Sequence, residues 1–145
     1  MKKVFLALAA ILLSSVLCLA GHDRIISPDK LPAAAKTFVQ QNFPANTISY
    51  AKADKEFMKT TYEARLDDGT EIDFTGSGEW DKVDCKFKAV PAAIVPAAIA
   101  QYVASSFPGA VIVKIDKERY GYEVELNNDL ELKFNKEGAL LYVDD

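Results

Sequence analysis

Few residues outside the carboxylates could do chemistry. His22 is the only histidine of the 145-residue chain, and Cys18 and Cys85 are its two cysteines. A thiol or hydroxyl nucleophile needs a base beside it, and His22 lies far along the chain from Cys85. The sequence holds no Gly-x-Ser-x-Gly elbow and no glycine-rich phosphate loop ahead of a helix. One histidine and so few cysteines exclude an ordinary zinc site.

The carboxylates offer two further possibilities. Asp67-Asp68-Gly69-Thr70-Glu71 lacks the ligand spacing of a calcium loop and reads as a hairpin turn leading into a strand. Glu63, Glu71, Asp73, Glu123 and Glu131 could supply the paired acids of glycoside chemistry. They fall at alternate positions of strand-like segments, however, where charge normally keeps a sheet face soluble. The expectation is no enzyme, no metal and no cofactor.

The elements that would position these residues are written twice. Leu31–Tyr50 and Val95–Lys114 align with an offset of 64, and Pro32, Ala33, Ala34, Val39, Phe43, Pro44 and Ile48 meet identical residues. Tyr62–Asp84 and Tyr122–Asp144 align with an offset of 60, sharing Tyr62, Glu63, Leu66, Glu71, Phe74 and Gly78. The change of offset puts four extra residues in the first half, most simply in the Asp54–Thr60 turn. In each half apolar residues first recur at steps of three and four, as in Val95, Ala98, Ile99, Tyr102 and Val103, which predicts a helix. Pro32 and Pro96 suit a first helical turn. Phe43-Pro44 and Phe107-Pro108 stop the helices, since the residue before proline leaves the helical region.

Period-two segments follow. Tyr62, Ala64, Leu66, Ile72 and Phe74 alternate with charged residues, as do Tyr122, Val124, Leu126, Leu132 and Phe134. Asp67-Asp68-Gly69 and Asn127-Asn128-Asp129 are the hairpin turns between them. A last strand, Glu79–Cys85 or Ala139–Val143, closes each half, and Trp80 and Val83 can both face inward only across a bulge. The expected fold class is α+β: two tandem repeats of a helix followed by about four antiparallel strands, with helices on one face of the sheet. The expected divisions are 1–20 as a signal peptide, 26–86 as the first repeat and 90–145 as the second, the two forming one compact unit.

The start of the chain reads as an export signal. Lys2 and Lys3 precede an apolar run, Val4 to Leu17, and Cys18-Leu19-Ala20 sets small residues for a cut after Ala20. A lipoprotein-type cut at Cys18 fits less well, because Ser15 and Leu17 stand in the reverse of the usual order. The run is short for a membrane span, and no later segment approaches that length, so no span is expected in the mature chain. The net charge of −4 becomes two units more negative once Lys2 and Lys3 are removed. An acidic chain is a poor match for nucleic acid. With Cys85 the one remaining thiol no internal disulfide can form, and Cys85 reads as a packed strand residue.

The doubled pattern LP-A-A…F…FP followed by YE-x-x-L-(D/N)-(D/N)…E-(I/L)-x-F…G resembles the PepSY-like, β-lactamase-inhibitor-like periplasmic domain in two copies, over roughly Ile26 to Asp145. The resemblance implies a periplasmic location, and it points toward protein binding or inhibition. It carries no inhibitory residue across. The expected function is that of a non-enzymatic exported module whose open sheet face contacts a periplasmic or envelope protein. The expected interaction face is Glu63, Arg65, Glu71, Asp73, Glu123, Glu125, Glu131 and Lys133, with Trp80 and Tyr142 as candidate contact aromatics. Two alternatives stay open: a carrier for a small molecule or ion with a pocket where the repeats meet, and a structural or envelope-stress component.

Overall fold

A computed structural model describes residues 22–145. The expected signal segment, with the Cys18 alternative, lies outside the described residues. The chain runs through β1 (His22–Ile26), a single 3-10 turn (Pro28–Lys30), α1 (Ala33–Asn42) and β2 (Ile48–Glu56). It continues through β3 (Lys59–Leu66), β4 (Glu71–Phe74), β5 (Trp80–Asp84) and α2 (Ala97–Ser106). The last four strands are β6 (Ile112–Glu118), β7 (Gly121–Leu126), β8 (Glu131–Asn135) and β9 (Leu140–Asp144).

The expected class, α+β with two tandem helix-plus-four-strand repeats, is corrected by this arrangement. Among the described residues the chain forms mostly one sheet of nine antiparallel strands, ordered in space as in sequence, with two α-helices of ten residues each. β5 pairs directly with β6, so hydrogen bonding runs through the place where a boundary between units was expected. β1, which the sequence reading did not anticipate, extends the sheet at its first edge. The physical reason is burial: four short strands under one ten-residue helix cover too little apolar surface to stand alone.

The proline-bounded helices form as the spacing predicts. Pro32 and Pro96 occupy the N-cap positions, and the amides of Phe43 and Phe107 close the last turns on the carbonyls of Val39 and Val103. Each helix presses one aromatic ring edge-on against a strand phenylalanine. Phe38 meets Phe74 at 5.8 Å, and Tyr102 meets Phe134 at 5.6 Å between ring centroids. Leu66, Ile72, Phe74, Leu126, Leu132 and Phe134 are buried, while Tyr62 and Tyr122 are half-buried against the same core.

The core face is set by register. Ile26, Ala51, Ala64, Ile72, Val83, Ile115, Val124, Leu132 and Val143 stand opposite one another in a single row across all nine strands. Alternation is interrupted by bulges, which insert one residue and re-aim its neighbours. One falls between β4 and β5, where Ile72 pairs Val83, Asp73 pairs Lys82 and Phe74 pairs Trp80, leaving Asp81 as the inserted residue. Trp80 and Val83 therefore both face the helices. At Gly78 the turn between β4 and β5 passes so near α1 that a Cβ would stand 2.8 Å from the Pro32 Cβ.

Candidate functional site

The side of the sheet away from the helices carries charge in two further rows. The first is Ile25, Lys52, Glu63, Asp73, Lys82, Asp116, Glu123, Lys133 and Tyr142, one residue from each strand. The second, from β2 to β9, is Tyr50, Arg65, Glu71, Asp84, Lys114, Glu125, Glu131 and Asp144. All eight residues of the expected interaction face lie in these rows. The structure sets Glu63 opposite Asp73, Arg65 opposite Glu71, Glu123 opposite Lys133 and Glu125 opposite Glu131.

Sequence reasoning missed the members from β2, β5 and β6: Lys52, Lys82, Asp84, Lys114 and Asp116. Their signal was available as alternation with Ala51, Val83 and Ile115, but the inserted Asp81 hides it in β5. Of the candidate aromatics, Tyr142 lies on the open face, where its hydroxyl accepts a 2.7 Å hydrogen bond from Lys133 Nζ. Trp80 lies on the helix side. Its ring stacks on Phe38 with centroids 6.3 Å apart, and Lys117 Nζ sits 4.0 Å from the Trp80 centroid.

Ion pairs cover the open face unevenly. Arg65 pairs with Glu71, and Lys86 reaches Glu71 and Asp84 at 2.9 Å each. Lys114 lies 3.6 Å from Asp116 and 3.8 Å from Glu125, and Lys133 lies 3.5 Å from Glu123. Acids still meet acids directly across strands at Glu63–Asp73, Asp116–Glu123 and Glu125–Glu131, and also at Asp23–Asp54, Glu71–Asp84 and Glu131–Asp144, with Lys52 4.0 Å from Glu63. Such like-charge pairs are destabilising. Burial pushes the Asp73 carboxyl above its ordinary range. Lys82 works against this, while Glu63, Asp116 and Asp81 reinforce it. Burial raises Asp116 too, against the opposing charges of Lys114 and Lys82. Asp84 goes the other way: burial would raise it, but hydrogen bonds and charge from Lys86 prevail and hold it low.

The acids converge on a depression of about 230 Å³ over β1 to β5, lined by Asp23, Lys52, Asp54, Glu63, Asp73 and Asp81 among others. Asp54 Oδ1 is buried there without a hydrogen-bond partner among the described residues. The acids of the Asp67-Asp68-Gly69 turn are engaged locally. Asp68 accepts from the Thr70 amide and pairs with Lys88, and Asp67 accepts from Asn46. Cys85 is buried, and desolvation pushes its thiol up to about 11, far from a working nucleophile.

Residues 60–142 match a family model described as "Putative beta-lactamase-inhibitor-like, PepSY-like". The chain belongs to this family. A periplasmic protein of Bacteroides vulgatus, described as of unknown function, has a solved structure 38% identical in sequence to this PepSY-like chain. It matches with a TM-score of 0.81 over 85% of this chain and 99% of its own. A Bacteroides thetaiotaomicron protein described as a "putative calcium-regulated periplasmic protein" is 36% identical, with a TM-score of 0.81 over 85% of this chain and 97% of its own. A second B. vulgatus periplasmic protein, assigned to the DUF2874 family, is 36% identical, with a TM-score of 0.82 over 87% and 99%. No curated protein matches the chain. Like these relatives, this PepSY-like protein is periplasmic.

Proposed function

We propose that this PepSY-like chain is a non-enzymatic, inhibitor-like binding module whose open face holds a basic surface of another periplasmic or envelope protein. The observation that carries the reading is the acids set directly against acids, at Glu63–Asp73 and Asp116–Glu123 in the first row and at Glu125–Glu131 in the second. A solubility coat is better built by alternating signs across strands, because like charges directly opposite cost stability. Natural proteins break such local rules where function requires it. A cationic partner would relieve every one of these pairs, and the charge would also speed its arrival. The family's inhibitor-like description accords with such a module.

Two other readings fare less well. The alternative of a carrier would place its pocket where the two halves meet. The groove there, between α1 and the β5–β6 strands, is lined by Phe38, Trp80 and Lys117, and Lys117 already lies over the Trp80 ring. The calcium regulation named for the B. thetaiotaomicron relative would direct a cation to the acids. Among the described residues no three metal-ligating side chains stand close enough together to hold one.

The test is affinity capture from periplasmic extract with the wild-type chain and a Glu63→Lys/Glu131→Lys variant of matched melting temperature. A specific protein should be retained by the wild type, released as salt rises, and lost with the double variant. Retention indifferent to both salt and charge reversal would overturn the reading.

A further inference from the structure

The core-face row ends unequally. Its inner seven residues, Ala51 through Leu132, are all fully buried at 0%, whereas Val143 on β9 is 43% exposed. β5 shows what is missing. Val83 stands opposite Ile72 as Val143 stands opposite Leu132, and Val83 is fully covered. The cover comes from β6 on the far side of β5, which sets Ile115 against Val83, Lys114 against Asp84 and Asp116 against Lys82. β9 presents Tyr142, Val143 and Asp144 in the places of Lys82, Val83 and Asp84. No strand of the described residues pairs with its outer side. Leu141 and Tyr142 are 50% exposed as well. Edge strands are normally blunted by lysine or proline, and β9, reading LLYVD, has neither.

We infer that β9 takes up an extended segment of another protein by antiparallel strand addition. The segment carries a branched aliphatic residue against Val143 and a lysine or arginine against Asp144. Main-chain hydrogen bonds would supply affinity and the alternate side chains specificity. A second copy of this chain fits worse. β9 pairing with itself brings no cation to Asp144, because the strand contains none. A second copy's β1 does no better. Arg24 and Ile26 lie on the core face of β1, opposite Ala53 and Ala51. With Ile26 against Val143, the residue meeting Asp144 is Ile25. The edge shares Tyr142 and Asp144 with the open face, but strand addition rests on the outer side of β9, unpaired among the described residues, and stands without the proposed function.

The probe is a labelled peptide copying Val111–Glu118, the β6 segment, titrated against the protein by fluorescence anisotropy. Saturable binding is expected, together with slowed amide exchange at Tyr142–Asp144. Val143→Lys and Asp144→Lys, each with an unchanged melting temperature, should each weaken binding by about tenfold or more. The peptide carrying Lys114→Glu should restore binding to the Asp144→Lys protein. Absence of saturable binding, or binding that ignores Val143→Lys and the charge swap, would overturn the inference. So would a dimer in sedimentation that Val143→Lys dissolves, since the edge would then belong to a second copy.

Discussion

Asp73 stands directly opposite Lys82 across the β4–β5 pair, yet burial still holds its carboxyl above the ordinary value of 3.8. An acid with a raised folded pKa binds its proton more tightly in the fold than in the unfolded chain. Its ionisation therefore costs stability, and the cost grows as pH rises from 3.8 through the folded value. Asp73→Asn should raise the melting temperature at pH 7, with a difference that shrinks toward zero below pH 3.8. Thermal melts of both proteins across that range check it. A variant less stable than wild type at pH 7 would show that Asp73 is a net support.

Glu131→Lys and Glu71→Lys should part company. Glu131 faces Glu125 and makes no ion pair within 4 Å among the described residues, so its reversal should stay within about 0.5 kcal/mol of wild type. Glu71 is held by both Arg65 and Lys86. Its reversal crowds three cations together and should cost more. Denaturant unfolding of the two variants distinguishes the cases. On sequence alone both glutamates read as isolated strand charges.

Phe74→Ala and Phe134→Ala each remove a ring that is at most 1% exposed and meets a helix aromatic edge-on. Each should lose about 3–5 kcal/mol in denaturant unfolding. Melting temperatures unchanged in both would contradict the facing of β4 and β8.

Three positive-φ glycines should rank by crowding. Gly69, at φ +89°, has open space where a Cβ would go, so Gly69→Ala should cost about 1 kcal/mol from backbone strain alone. Gly78→Ala adds contact with Pro32, and Gly121→Ala places its Cβ 2.2 Å from the Phe134 carbonyl oxygen. The expected order of destabilisation is Gly121, then Gly78, then Gly69, read from chemical denaturation.

Cys85 should resist alkylation in the folded protein and react once urea exposes it, because burial disfavours its thiolate. Peptide-level mass spectrometry after labelling resolves this thiol. Rapid native labelling would mean that the strand end opens readily.

Local pattern reached some parts of this structure and not others. The helices were legible because steps of three and four are bracketed by proline, a residue with few backbone options. The facing of β3, β4, β7 and β8 was legible because apolar and charged residues alternate without interruption there. β1 escaped because five residues, His-Asp-Arg-Ile-Ile, show no alternation. The joining of β5 to β6 escaped because strand pairing across an intervening helix leaves no mark in either strand. The likeness of the two halves therefore suggested two tandem helix-plus-four-strand repeats, where the described residues form mostly one nine-stranded sheet. The facing of β2, β5 and β6 was missed as well, which left Lys52, Lys82 and Lys114 out of the expected face and undercounted its cations.

Because spatial order equals chain order across the nine strands, every strand finds its partner among its immediate sequence neighbours. The longest detours are the helical links between β1 and β2 and between β5 and β6. Loop-closure entropy is small for such pairings, and folding rate rises as contacts become more local. The sheet can therefore grow by adding one hairpin arm after another, from the first strands toward the last. A chain delivered end-first into the periplasm could complete β1 to β5 while its later residues are still arriving, and β9 would then be the last strand to find its place.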